Sequence, residues 1–211
     1  MLYGCLICLG LVLILFGAAS MEYNAKATTS DAEGSSPTRS TEPGGAPETA
    51  APTGITVKTT IERGDAYLSP QLYDVEITLL EVIRGKSITE LSRVQSVSAK
   101  LPKDGFEYIL ARIRLGYFRR ARGGLGDEIY KLTEGQFAAV SADSRTEYEV
   151  PAVLRQPQPA LVDATFNPGD SHEGWILLQV PKEEKKPLLI FKRQHVEGAY
   201  GIWGYVWFKL Y

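Results

Sequence analysis

The chain beyond residue 54 alternates apolar and polar side chains with a period of two, which is the spacing of β-strands that bury one face. The clearest run spans residues 106–118 and follows a Lys-Asp-Gly turn. Its predicted inward-facing residues are Ile109, Ala111, Ile113 and Leu115, and its predicted outward-facing residues are Tyr108, Leu110, Arg112 and Arg114. This pattern predicts a strand with one face in a hydrophobic core.

The same alternation predicts further strands over residues 55–62, 74–84, 173–180, 187–193 and 201–211. One face of the second segment carries Val75, Ile77 and Leu79. The other face carries Leu80 and Val82. Since a slip of one residue inverts every following side chain, the sequence predicts either a β-bulge near Leu79-Leu80 or burial of both faces.

Turn-forming residues separate the predicted strands. Residues 136–142 and 145–150 flank Asp143-Ser144, which predicts a hairpin. Residues 87–100 are weakly patterned and are predicted to form a connection with a short helix or an edge strand. Three prolines between residues 151 and 159 argue against a central strand there, because proline cannot donate to a strand ladder.

The segment 166–181 combines a strong turn signal, Phe166-Asn-Pro-Gly, with an apolar strand. Ile176, Leu178 and Val180 fall on one side of this strand, and Trp175 and Leu177 on the other. We therefore expect both of its faces to be covered and the strand to lie centrally in the fold.

Residues 1–20 form an almost wholly apolar run that ends in Gly17-Ala18-Ala19-Ser20. Small residues after an apolar core fit cleavage by signal peptidase after Ala19 or Ser20. No Lys or Arg precedes the run, and its length of about 18 residues nearly spans the ~30 Å hydrocarbon core of a membrane. A cleaved signal peptide and an uncleaved single-pass anchor both fit, and either predicts an extracellular or cell-surface protein.

Residues 21–54 are rich in Thr, Ser, Ala, Pro, Gly and Glu and contain few large apolar side chains. Such a composition buries too little surface to offset chain entropy, so the sequence predicts a disordered linker. The linker is either a stalk that holds the following domain away from the envelope or a passive spacer.

Composition excludes several functional classes. The 23 basic and 25 acidic side chains give a net charge of −2, which argues against a nucleic-acid binder. Both cysteines, Cys5 and Cys8, lie in the apolar run, so a disulfide framework or thiolate metal site is not expected in the domain. His172 and His195 match no metal or hydrolase motif. We expect no catalytic residue, cofactor or metal.

Two features are candidate interaction surfaces. The last predicted strand places the aromatic side chains of Trp203, Tyr205 and Trp207 on one face, where they either bind sugars or peptides or cover the sheet. The Gly-rich segment 116–128 carries the second set, Arg119, Arg120 and Arg122. It either receives an anionic partner or is an ordinary solvated connection.

Seven or more strands joined by turns predict an all-β protein, an antiparallel immunoglobulin-like β-sandwich over residues 55–211. Five segments in order carry a resemblance: Lys103-Asp-Gly-Phe-Glu-Tyr-Ile-Leu-Ala-Arg-Ile-Arg-Leu115, 136–148, 166–181, 187–191 and 207–210. Together they resemble the telokin-like, immunoglobulin-type domains of unknown function on exported bacterial and archaeal proteins, whose fold is similar to that of the mycobacterial immunoprotective extracellular protein. The resemblance implies this fold and export, and it brings no catalytic residues.

The sequence thus favours a non-catalytic secreted or cell-surface protein that displays an immunoglobulin-like domain on a flexible stalk. Its expected partner is a protein or glycan at the cell envelope, with membrane contact through residues 1–20 if they are uncleaved. The alternative is a structural envelope protein without a specific ligand, and an enzyme is the third hypothesis.

Overall fold

A computed structural model describes residues 42–63, 71–87, 89–90, 98–120, 128–193 and 204–211, all within one compact unit, Thr38–Tyr211. These residues contain a short 3₁₀-helix, Pro47–Thr49, and eleven strands. The strands are β1 Thr56–Arg63, β2 Gln71–Arg84, β3 Ser98–Ala99, β4 Phe106–Arg119, β5 Tyr130–Lys131, β6 Phe137–Val140, β7 Val153–Arg155, β8 Thr165–Phe166, β9 Ser171–Pro181, β10 Leu188–Lys192 and β11 Tyr205–Lys209. The predicted all-β fold is confirmed, as are the main predicted strands.

The largest sheet has four antiparallel strands in the order β1-β2-β4-β9. Leu79 pairs with Ile113 and Glu81 with Arg112, so Leu80 has no opposite residue. One extra residue on β2 therefore forms a β-bulge, which confirms the predicted irregularity at Leu79-Leu80.

A second antiparallel sheet has three strands in the order β11-β10-β6. After β6 the chain reverses at Ser141–Ser144, where Ser144 has a φ of 58°, and Val140 then bridges Glu147. The predicted turn at Asp143-Ser144 is confirmed, whereas residues 145–150 form no strand beyond this single bridge. Two small pairs, β3-β7 and β5-β8, complete the described strands.

The two larger sheets share one hydrophobic core in a sandwich-like arrangement. Ile77 and Leu115 of the four-stranded sheet and Leu189 and Phe208 of the three-stranded sheet belong to the same buried cluster. Each such side chain stabilises the fold by roughly 1.5–3 kcal/mol on burial. The period-two alternation of the sequence is therefore the pattern of inward-facing residues on both sheets.

The outer face of the four-stranded sheet is also partly covered. Tyr108 and Leu110 of β4 form a second buried cluster with Trp175 and Leu177 of β9. The prediction that both faces of β9 are buried is confirmed. The prediction that Tyr108 and Leu110 point outward to solvent is wrong, because Ala99 of β3 and other apolar residues, including one of β7, pack over them.

Strand β9 lies at the end of the four-stranded order, so it is not the central strand that the sequence suggested. Its outer edge is instead met by the segment around Ala160, which bridges Trp175. The backbone N–H of Trp175 donates to the carbonyl of Pro159 over 2.8 Å. The edge is thus protected by backbone hydrogen bonds rather than by a full neighbouring strand.

The prediction of a disordered linker over residues 21–54 is wrong for residues 42–54, which belong to the fold. Ala50 and Ala51 are buried, and Ala51 bridges Phe208 in a parallel sense. The N–H of Ala51 donates to the carbonyl of Trp207 over 2.8 Å, and the N–H of Lys209 donates to the carbonyl of Ala51 over 2.9 Å. Composition does not reveal this attachment, because backbone hydrogen bonds to a free strand edge need no large side chain.

Several predictions concern residues that the structure does not describe. These include residues 1–20, residues 21–41 of the predicted linker, and residues 121–127 and 194–203. Across the described residues, no helix has the length and apolar character needed to cross a membrane. In the segment 87–100, Thr89 and Glu90 are helical and β3 forms a short strand.

Candidate binding site

The aromatic stripe of the last strand is divided between solvent and core. Tyr205 is 46% exposed, whereas Trp207 is 9% exposed and packs with Ala50, Val140 and Ile190. The two rings meet edge to face with centroids 5.7 Å apart. Trp203 lies outside the described residues. Trp207 therefore helps to cover the outer face of the three-stranded sheet, and Tyr205 presents a single aromatic ring.

The basic segment lies on the other sheet. Arg119 ends β4, and its side chain is exposed. Arg120 donates to the hydroxyl of Thr60 over 3.3 Å and lies 3.8 Å from the carboxylate of Asp74. Arg122 lies outside the described residues. The structure thus assigns Arg120 local partners in β1 and β2.

His172 is the second residue of β9, directly after the predicted turn. Its ring packs edge-on against Phe166 at 4.8 Å, and Asp163 pairs with Lys131 at 3.1 Å. Asp170 accepts the backbone N–H of Asn167 over 2.7 Å, and hydrogen bonds from Asn167 lower the pKa of this carboxylate. The hydrogen bonds between Asn167 and Asp170 close the predicted turn.

Three buried tyrosine rings contact one another in sequence at the end of the four-stranded sheet. Tyr73 stacks on Tyr117 at 4.7 Å, and Tyr117 meets Tyr130 at 5.4 Å. Burial raises the pKa of both Tyr117 and Tyr130, so both stay protonated. The hydroxyl of Tyr117 donates to the carbonyl of Glu128 over 2.9 Å, which fixes the chain where it returns from the basic segment. No group of three or more metal-ligating side chains occurs in the part of the chain that the structure describes.

A concave site lies at the opposite end of β4, beside the 101–105 loop. This site, the Lys86 hollow, has a volume of about 380 Å³ and is lined by Lys86, Ser87, Leu101, Phe106, Tyr108 and Lys182, among others. Its volume falls near the lower end of the ~300–1,000 Å³ that small-ligand pockets occupy. It brings two ammonium groups and an aromatic wall together from three separate segments of the chain.

Local backbone structure fixes the walls of the Lys86 hollow. Gly105 adopts a φ of 79°, and Phe106 N–H donates to the carbonyl of Lys103 over 2.9 Å, which closes the turn of the 101–105 loop. Lys182 N–H donates to the carbonyl of Gly105 over 2.9 Å, so the end of β9 holds this turn in place. The loop is therefore anchored to the sheet at the point where the hollow forms.

The opposite wall follows β2. Ser87 and Glu90 form a reciprocal cap: Ser87 N–H donates to the Glu90 carboxylate over 2.7 Å, and Glu90 N–H donates to the Ser87 hydroxyl over 3.3 Å. Arg84 pairs with Glu107 at 2.7 Å and also donates to the carbonyl of Glu184. These contacts join β2, β4 and the turn after β9 beside the hollow.

The charges around the Lys86 hollow are unbalanced. Among the described residues that line it, Glu107 is the only acidic one, and Arg84 forms an ion pair with it. Within the described residues, neither Lys86 nor Lys182 forms an ion pair. The hollow therefore carries two lysine charges without an ion-pair partner, and the Glu90 carboxylate lies beside it on Ser87. The net positive charge attracts anions.

A smaller hollow of about 280 Å³ lies on the other side of the same loop. This site, the Lys100 hollow, shares Leu101 and Tyr108 with the first and adds Lys100, Glu149 and Gln179. Glu149 pairs with Lys103, and the Tyr108 hydroxyl donates to the carbonyl of Lys100. Burial raises the pKa of Tyr108, which keeps that donor protonated. Leu101 is 79% exposed between the two hollows.

The sequence alone does not predict the Lys86 hollow. Lys86, Leu101 and Lys182 are far apart in the chain, and each taken alone reads as an ordinary loop residue. Only the pairing of β2 with β4 and of β4 with β9 brings them together.

Comparisons with known proteins add no functional assignment. No protein-family model, no curated protein and no solved structure matches this chain significantly. The resemblance to telokin-like domains rests on the sequence motifs and stays a prediction.

Proposed function

We propose that this chain is a non-catalytic, exported binding module that acts at the cell envelope. The Lys86 hollow carries the proposal, because it is concave and positively charged and its walls are held by hydrogen bonds and an ion pair. A loop site on a rigid sheet scaffold is a common arrangement for recognition. The proposed partner is a glycan or a protein of the envelope.

The proposed domain type is an immunoglobulin-like, telokin-like sandwich. Support comes from two antiparallel sheets around one core and from the motif order in the sequence. The proposed location is extracellular or at the cell surface, with residues 1–20 as signal peptide or single-pass anchor. The apolar run and the small residues that follow it support export.

A structural envelope role without a specific ligand is the second candidate. The burial of Trp207 favours it, because the aromatic stripe then stabilises the sheet instead of offering a contiguous binding patch. The Lys86 hollow favours binding over this alternative, since a purely structural surface does not need lysine charges without an ion-pair partner beside an apolar recess.

Adhesion to envelope fragments tests the proposal. The exported protein should sediment with fragments of its source envelope, and Leu101→Glu should weaken this adhesion by placing a negative charge between both hollows. Leu154→Glu is the matched control, because Leu154 is 76% exposed and lines neither hollow. Equal adhesion of all three proteins, or none by any of them, would refute the proposal. N-terminal sequencing of the exported protein decides between signal peptide and anchor.

A further inference from the structure

The Lys86 hollow has two chemically different walls. Leu101, Pro102, Phe106 and Tyr108 supply an apolar and aromatic wall. Lys86, Ser87, Thr89 and Lys182 supply polar side chains. The hydroxyl of Ser87 already donates to the Glu90 carboxylate over 2.8 Å, so the donors left for a ligand are those of Thr89 and the two lysines. A ligand that fills this space must offer one apolar face and one polar, anionic face.

An aliphatic chain does not satisfy the polar wall. Burying hydroxyl and ammonium groups against hydrocarbon without hydrogen bonds is unfavourable, most of all for the charged ammonium groups. A flat aromatic ring without hydroxyls leaves the same donors unpaired. The donors of Thr89 and the two lysines instead suit a ligand with several oxygen acceptors.

We propose that the Lys86 hollow binds an acidic sugar unit of an envelope glycan. This inference rests on the proposed binding function and specifies its ligand. The C–H face of a pyranose ring packs against Phe106 and Leu101, its hydroxyls meet Thr89, and its carboxylate lies between Lys86 and Lys182. The volume of about 380 Å³ accommodates one or two such units.

Titration with defined oligosaccharides tests this assignment. The probes are trigalacturonate, the neutral trisaccharide maltotriose and the amphiphile decanoate, each added to the ¹⁵N-labelled exported protein. We expect trigalacturonate to shift the backbone amide resonances of residues 85–87, 101–108 and 182, and maltotriose to bind at least tenfold more weakly. Raising the salt from about 20 to about 300 mM should weaken trigalacturonate binding, because exposed charges are screened.

Lysine variants locate the charge. A unit charge at 4 Å in water contributes about 1 kcal/mol, so Lys86→Gln and Lys182→Gln should each weaken trigalacturonate binding about fivefold, and the double variant about 25-fold. Lys100→Gln is the matched control, since Lys100 lies in the neighbouring hollow and does not line this one. All three side chains lie at exposed positions, so folding should be unchanged.

The outcomes separate the ligand assignment from the proposed function. Equal binding of trigalacturonate and maltotriose, tighter binding of decanoate, or wild-type affinity in the double variant would overturn the acidic-sugar assignment. If adhesion to envelope fragments persists in any of these cases, the binding function stands with a different ligand. If adhesion is also absent, both fail.

Discussion

Replacement of Gly174 by alanine is predicted to destabilise the domain strongly. A Cβ atom at this position would lie 2.6 Å from the backbone N of Leu161 and 2.8 Å from the carbonyl carbon of Ala160. Backbone cannot move aside as a flexible side chain can, and overpacking of this kind costs about 1–3 kcal/mol. The displaced segment also holds two backbone hydrogen bonds, from Trp175 N–H to Pro159 and from Leu161 N–H to Trp175. At about 1 kcal/mol for each bond, the total loss is about 3–5 kcal/mol.

Thermal unfolding followed by circular dichroism measures this loss. For a chain of this size, a change of 1 kcal/mol shifts Tm by about 2–4 °C, so Gly174→Ala should lower Tm by about 6–20 °C. Gly105→Ala is the matched control, because its φ is 79° but no heavy atom lies within 4 Å of the added Cβ. It should therefore cost only the about 1–2 kcal/mol of a left-handed backbone. A Tm for Gly174→Ala equal to that of the wild type or of the control would refute the close approach of the two segments.

Three further predictions concern other contacts. Trp207→Ala should lower the free energy of unfolding by about 3–5 kcal/mol in chemical denaturation, whereas Tyr205→Ala should change it by less than about 1 kcal/mol. Ala51→Pro removes an N–H that donates to β11, and amide hydrogen exchange should then be faster in residues 44–51 and in β11. Hydrogen bonds from the Arg114 and Arg112 side chains lower the pKa of Glu173 in the folded state, so stability should fall as the pH drops through that lowered pKa. Denaturation from pH 7 to pH 2 should show a smaller decrease in Glu173→Gln.

Each of these predictions has an outcome that contradicts it. Equal losses for the two aromatic variants would mean that Tyr205 is as deeply packed as Trp207. Unchanged exchange in Ala51→Pro would show that residues 44–51 are not attached to β11. An identical pH dependence in Glu173→Gln would remove the two-arginine contact as a source of acid sensitivity.

The alternation of apolar and polar residues predicted the main strands because each strand buries at least one face. The slip at Leu79-Leu80 was also visible, since a bulge shifts every later side chain to the opposite face. Strands, turns and bulges of this kind depend on residues that are close together in the sequence. A sequence therefore reveals strands, turns and irregularities without knowledge of their partners.

Partners were less predictable. Tyr108 and Leu110 were assigned to an exposed face because nothing in residues 106–118 reveals that Ala99 and its neighbours cover them. Strand β9 was assigned a central place from its apolar content, yet its outer edge faces the segment around Ala160. Burial on both faces and a central position are separate properties, and only the first is encoded in the strand itself.

Residues 42–54 show a different limit. Their small polar side chains predict disorder when only side-chain burial is counted. The structure instead attaches them through backbone atoms, which are the same in every sequence. Gly44 is required here, because a Cβ on it would approach Val57 to 2.9 Å and its φ is 77°. The glycine was visible in the sequence, but the edge strand that it meets was not.

The proposed site was not visible in the sequence for the same reason: its residues are distant in the chain and meet only in the fold. An aromatic stripe on a strand is easily seen in a sequence, but Trp207 shows that such a stripe can serve the fold itself. A site formed by loops requires residues from several strand ends, so it cannot appear as a motif.

Lys86 follows β2, Leu101 precedes β4 and Lys182 follows β9, and these three strands are neighbours in one sheet. Their loops must therefore meet at one end of the sheet, and the two lysines keep their charges there without a carboxylate partner among the described residues. The proposed anionic ligand would give these two charges a partner.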